Sequence, residues 1–340
     1  MSNPTDIPLV DQLLPLPNNR TLAYTTSGDP TSTTVVIFFH GVFGVGRTSS
    51  KSQAKVLEAK GVHNVSPTLP GWGLSSSRPK GVPYAVALAG DIAALLDHLY
   101  PSKPALRIYV AGGSYGTVPA QMIYGLPSTI FPYAPYVAGC LLLAPFSPFK
   151  YHHGYAKTLS LPNYVAVGPP TQWLPFNLVP RLFSVSMAGK LKTEESAEKF
   201  VRQLLFDKME EKEKATFAEW RTVYGREEGE LERDFAKNMV ASVAQNWDGF
   251  LEVSAVLRED WGFDPAQLEA KGPILICASQ GDKMADDGMA RWLAEAYPNG
   301  HLKLSEGGGH ISGLFELDAI WTAFLELAEK VVLPIEPVVA

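Results

Sequence analysis

The sequence predicts an α/β protein: a mostly parallel sheet of eight strands, helices on both faces, and one mainly helical insertion. Short apolar runs without polar alternation, such as TTVVIFFH and GPILICAS, read as strands buried on both faces. These runs alternate with stretches of helical spacing, the pattern of a parallel sheet with crossover helices. After Pro145 the alternation stops, and it resumes only with GPILICAS.

Taken in order, LLPLP and RTLAYTTSG form an antiparallel opening pair around the turn Pro17-Asn18-Asn19. TTVVIFFH is the first buried strand, and SKSQAKVLEAKG is a helix ending on Gly61. HNVSPTLPG is a weaker strand and AVALAGDIAALLDHLY a strong amphipathic helix. RIYVAGG, a helix over Ser114 to Tyr124, and the strand VAGCLLLAP follow. Residues 146 to about 185 are rich in Pro and aromatics and poor in charge; residues 191 to 237 are charged and helical. There the run Asp207 to Lys214 is most simply a solvated helix face. GPILICAS, DDGMARWLAEAYP, HLKLSE and FELDAIWTAFLELAEK then complete the sheet and its cover. The division expected is a core of residues 1–147 and 248–340, with 148–247 inserted after the sixth strand.

Composition narrows the function. Of 340 residues, 46% are hydrophobic and 19% charged, which are globular values. A formal net charge of −6 gives no electrostatic reason to expect nucleic acid or anionic lipid as a partner. Two cysteines, Cys140 and Cys277, lie inside apolar strands and exclude a disulfide framework. No apolar stretch reaches the roughly 18 residues of a membrane span. MSNPTDIPLVDQ has no secretory character and PIEPVVA is no address, so a cytoplasmic setting is expected.

The strongest chemical signal is YVAGGSYGTVPA. Gly112-Gly113-Ser114-Tyr115-Gly116 fits Gly-x-Ser-x-Gly between a buried strand and a helix. A turn that sharp strains the backbone at Ser114 and needs glycines where strand and helix approach. It lifts Oγ above the sheet and aims the Tyr115 amide at the same space. A serine hydroxyl needs a base. Of seven histidines, His310 in EGGGHISG lies in a glycine-rich loop after the last strand, placed to reach across toward Ser114. The base in turn needs a carboxylate. Asp282 stands just past the strand ILICAS; Asp286 and Asp287 read as the next helix's cap and first turn, with Asp286 the alternative.

HGVFGVGRTSS poses a choice. Gly41 to Thr48 is one residue away from the phosphate loop Gly-x-x-x-x-Gly-Lys-Ser/Thr, but Arg47 replaces the lysine and no strand end offers a free acidic metal partner. His40-Gly41 as an oxyanion turn, with the Val42 amide pointing into the site, is the better reading.

With these residues the chain resembles the α/β-hydrolase superfamily. HGVFG (40–44), LPGWGLSSS (69–77), GGSYG (112–116), Asp282 and GGGH (307–310) match, over about residues 20–147 and 250–330; the insertion falls where that family carries a variable lid. The resemblance implies a Ser114–His310–Asp282 triad with the Val42 and Tyr115 amides as oxyanion hole. One departure is Thr68, where the family often has Asp. Ser114 argues against epoxide hydrolases and haloalkane dehalogenases, which use Asp at the elbow. The elbow also looks like that of prolyl aminopeptidases, whose oxyanion loop Val42-Phe43-Gly44 does not match.

The expected activity is a serine hydrolase cleaving an ester or lactone of a hydrophobic small molecule through an acyl-enzyme, without cofactor or metal. A prolyl-aminopeptidase-like peptidase or a carbon–carbon bond hydrolase on the same triad is the alternative, and a non-catalytic binder the competing class. Phe43, Trp72, His153 and Trp173 are the residues expected to line the substrate pocket.

Overall fold

A computed structural model describes residues 10–47, 50–269 and 271–330. Both chain ends and Thr48 of the opening loop, on which some of the expectations fall, lie outside the described residues. The eight strands are β1 Gln12–Leu16, β2 Arg20–Gly28, β3 Thr34–Phe39, β4 His63–Pro67, β5 Arg107–Gly113, β6 Val137–Leu143, β7 Ile274–Ser279 and β8 Gly300–Ser305. They form one sheet in the order β1-β2-β4-β3-β5-β6-β7-β8. The β1–β2 and β2–β4 pairings are antiparallel and all the others parallel. Every strand but β2 therefore ends on one edge, and β5 lies inside the sheet between β3 and β6.

The helices are α1 Lys55–Ala59, α2 Tyr84–Leu99, α3 Thr117–Gly125, α4 Leu161–Val167, α5 Pro170–Trp173, α6 Leu178–Ala188, α7 Glu194–Val201, α8 Glu211–Val223, α9 Glu230–Val243, α10 Asp248–Arg258, α11 Asp287–Ala296, α12 Ser312–Phe315 and α13 Leu317–Lys330. The apolar strands split by the two-residue period of a pleat. Val35, Ile37 and Phe39 of β3 enter a core shared with α2, α3 and α11. Val36 and, partly, Phe38 enter the opposite core with Trp321 and Phe324 of α13. Helices thus cover both faces. Arg20 on β2 grips Asp91 on α2 through two hydrogen bonds, 2.7 and 2.6 Å, tying the antiparallel edge to one of these helices.

One expectation changes. SKSQAKVLEAKG is helical only over α1, because Ala54 is extended (ψ 127°) and the serines before it form a single tight turn; the stop at Gly61 holds, at φ +60°. The charged stretch 191–237 is helical as expected: α7 runs on into a wide turn over Arg202–Phe206, and α8 and α9 follow, parted at Gly225–Gly229. Between β6 and β7 the chain is helical, and α7 to α9 gather their own small core around Val201, Trp220 and Met239, which Phe315 of α12 joins.

Candidate active site

The elbow begins with steric arithmetic. Ser114 has φ +54°, a left-handed conformation that a side chain adopts only when its surroundings impose it. They do so here. A Cβ on Gly116 would lie 2.1 Å from the Phe39 carbonyl oxygen, and one on Gly112 would lie 2.1 Å from that of Gly116. Both positions therefore require glycine for close approach between β3, β5 and the start of α3. Gly113 is different: the nearest atom to its Cβ position is Phe38 Cζ, 4.0 Å away. Thr117 then closes the turn by donating from Oγ1 to the Ser114 carbonyl, 2.6 Å.

The His40–Gly44 turn abuts that elbow. A Cβ on Gly41 would stand 3.4 Å from Ser114 Cβ and 4.0 Å from Oγ. Gly44 N–H donates to Gly41 O, and Phe43 sits at φ +58°, while the Val42 N–H has no protein partner among the described residues. His40 is the clamp. The Leu69 N–H donates to Nε2 (3.0 Å), so Nε2 carries no proton and Nδ1–H donates to Gly41 O (2.8 Å). Burial holds the imidazole neutral, its pKa lowered to about 4. Arg47, the residue standing for the phosphate-loop lysine, is held by Asp11. Thr68 accepts the Gly46 N–H at 2.7 Å, so the departure from the family's aspartate leaves that amide satisfied.

Across the same edge, Asp282 follows β7. Its Oδ1 accepts the Met284 and Ala285 amides (2.7 and 3.0 Å), and its Oδ2 meets His310 Nδ1 at 2.7 Å. With two backbone amides on one oxygen and the imidazole on the other, the carboxylate orients the ring and favours the Nδ1–H tautomer, which leaves Nε2 as the acceptor nitrogen. A Cβ on Gly281 would strike Gly308 O at 2.7 Å, and Gly307 and Gly308 lie at φ +76° and +81°. The glycines of EGGGH let the loop fold back onto Asp282. Asp286 caps α11 by accepting the Gly288 amide, and Asp287 starts the helix. Ser114 Oγ and His310 Nε2 make no direct hydrogen bond in this conformation.

One residue read as solvated is not. Glu213 on α8 is 7% exposed and accepts the Gly309 N–H at 2.8 Å, beside the imidazole. Burial raises its pKa against that hydrogen bond, with the charges of Glu210 and Asp282 adding to the rise. Phe217, four residues on, stacks against Phe315 at 4.9 Å between ring centres. The charge run Asp207 to Lys214 hid this because spacing on α8 shows a polar stripe, not what it docks on.

The expected pocket residues divide. Phe43 is half-buried and stacks on Phe250 (5.0 Å, 17°), with Trp247 edge-on at 6.0 Å. Trp72 is 1% exposed and lies edge-on behind Phe43, over Gly249, whose Cβ position falls 2.5 Å from the indole. It is a packing residue, not a wall. His153 is exposed; His152 is the buried member, bonded through Nδ1 to Ser147 Oγ (2.7 Å) and stacked on Trp292. Trp173 is 72% exposed. Trp247 and Phe250, which sequence reasoning missed, sit in NWDGF, an aromatic pair around a glycine that signals close approach. Among the described residues no group of three or more His, Cys, Asp or Glu is placed to hold a metal ion, and no helix is long and apolar enough to cross a membrane.

The sheet order and its covering helices define an α/β fold, and comparison with known proteins agrees. The sequence model of the alpha/beta hydrolase family matches residues 36–322, and the chain belongs to that family. No curated protein matches the chain in sequence. Among solved structures, an esterase from Exiguobacterium antarcticum superposes with a TM-score of 0.61 at 15% identity, over 94% of this chain and 100% of that one. An esterase from a Rhodococcus species gives 0.59 at 15% identity over 96% and 100%, and a bromoperoxidase from Bacillus anthracis 0.57 at 16% over 93% and 100%. At such identities the likeness shows the fold alone.

Proposed function

We propose that the chain is a serine hydrolase that cleaves an ester or lactone of a hydrophobic small molecule through an acyl-enzyme. Ser114 is the nucleophile, His310 the general base and then acid, and Asp282 the residue that orients the imidazole. As Ser114 Oγ bonds to the substrate carbonyl carbon, its proton passes to His310 Nε2. The carbonyl electron pair moves onto oxygen, which the Val42 and Tyr115 N–H groups stabilise. Collapse expels the alcohol oxygen, which takes the proton from Nε2; water repeats the sequence to release the acid. Each oxyanion donor is worth on the order of 3 kcal/mol in such a step. The Ser114 and Nε2 contact forms in the reacting complex, as such contacts commonly tighten on binding.

The observation that carries this reading is the pairing of a left-handed Ser114 with a His310 whose Nδ1 is occupied by Asp282 at 2.7 Å, both on the same sheet edge. Phe43, Trp247 and Phe250 beside the oxyanion turn supply an aromatic wall, which favours an apolar, ring-bearing acyl or alcohol part. Residues 148–247 serve as the cap, and Glu213 on it positions the His310 loop. Pre-steady-state hydrolysis of p-nitrophenyl acetate tests the mechanism. A burst of p-nitrophenol equal to the enzyme concentration, lost in Ser114→Ala, is expected; no hydrolysis of any ester or lactone by the native protein contradicts it.

A further inference from the structure

The outer side of α4, α5 and α6 bears apolar side chains where a surface helix normally bears polar ones. On α6, Val179, Pro180, Phe183 and Met187 turn inward, which already supplies the stripe such a helix needs. Leu178, Leu182 and Val185, spaced four and three apart, form a second stripe facing out, with Leu182 61% and Val185 75% exposed. Trp173 at the end of α5 and Phe176 in the turn before α6, the latter 89% exposed, and Leu161 at the start of α4 are exposed apolar residues of the same segment.

Charge on this segment is one-sided. Residues 146–193 contain five Lys or Arg and no Asp or Glu, in a chain whose net charge is −6. Lys150 is neutralised by Asp260, but Lys157, Arg181, Lys190 and Lys192 are exposed and have no carboxylate partner among the described residues. Arg181 stands inside the outward stripe itself and braces the turn before it by donating from Nε to Phe176 O, 3.0 Å.

We propose that this face docks on an anionic lipid surface, with Trp173, Phe176 and Leu182 entering the headgroup boundary and Arg181, Lys157, Lys190 and Lys192 meeting lipid phosphates. Leu, Trp and Phe beside Arg and Lys are the combination that holds an amphipathic surface in the interface plane. Self-association is disfavoured, since a twofold contact would set this cationic face against itself. The proposal is independent of the catalytic reading and places the chain as a peripheral protein, because α6 has only 11 residues.

Flotation of the full chain with phosphatidylcholine vesicles, with and without phosphatidylglycerol, tests it. Binding to the anionic vesicles at low salt is expected, falling at least tenfold on neutral vesicles or at high salt. Phe176→Glu with Leu182→Glu should abolish it, and Arg181→Gln should weaken it about fivefold. Acyl-chain bromination should quench native tryptophan emission more than that of Trp173→Phe. All four sites are exposed, and far-ultraviolet dichroism confirms that the variants fold. Absence of flotation at low salt overturns the proposal, as does flotation indifferent to the double substitution. So does a dimer in vesicle-free solution that the double substitution dissolves, which would assign the face to a second copy.

Discussion

The sheet edge at Ser114 and the helical face at α6 are built by opposite rules. At the edge nearly every atom is answered: Gly112, Gly116 and Gly281 touch backbone oxygens, His40 uses both ring nitrogens, and Asp282 uses both oxygens. On the outer side of α6, Leu182 and Val185 touch little and Arg181 reaches only its own turn. Where contacts over-determine a position, one residue type fits; where they are absent, sequence records only preference. The comparison can be broken or sharpened at both places.

The largest effect expected is chemical. Ser114→Ala or His310→Ala should lower p-nitrophenyl acetate turnover by roughly 10⁴ or more without a change in melting temperature. A fall of a few-fold for His310→Ala would assign the base elsewhere. Next are the glycines, two positions apart in role though close in sequence. Gly116→Ala should cost about 3 kcal/mol or more, or prevent folding, whereas Gly113→Ala, at φ −115° with only Phe38 Cζ within 4.0 Å, should change stability by under about 1 kcal/mol. Equal tolerance at both sites, read from urea midpoints, would refute the close approach.

His40 gives a pH signature of similar size. Its folded pKa of about 4 lies below the 6.5 of an unfolded histidine, so the unfolded chain binds the proton first. The contribution is intact above pH 6.5 and is lost as pH falls toward 4, to a total of roughly 3 kcal/mol at 1.36 kcal/mol per unit. Urea unfolding of the native chain should lose that much more stability over this window than His40→Gln. Parallel curves would contradict the buried, neutral clamp.

Glu213 ties α8 to the sheet edge, and a smaller change is expected there. Glu213→Ala should reduce kcat about tenfold with KM little changed, since it frees the Gly309 amide that steadies the base, a loss on the order of 1–2 kcal/mol. Glu213→Gln, which keeps an accepting oxygen, should recover most of the rate. The smallest effect belongs to the outer face: Leu182→Ser should shift stability by under about 0.5 kcal/mol.

These contrasts explain what was legible in the sequence. The strands were, because TVVIFF and ILICAS are short, β-branched and aromatic runs bounded by turn residues, and so were the left-handed turn at Ser114 and the approach of His310 to Asp282, because glycines and strand ends mark where backbone must bend or approach. Trp72, His153 and Trp173 were misplaced for one reason. An aromatic or a histidine announces surface to bury, not the direction in which it is buried. Trp72 goes behind Phe43, His152 rather than its neighbour turns in against Ser147, and Trp173 turns out. Glu213 was hidden by the same gap, since its partner, the Gly309 amide, lies 96 residues away.

The most direct test of the triad is covalent. A fluorophosphonate probe should label the native protein once, with the adduct mapped by peptide mass to Ser114 and absent from Ser114→Ala. No labelling of the folded native chain, or an adduct on another residue, would contradict the assignment of Ser114 as the nucleophile.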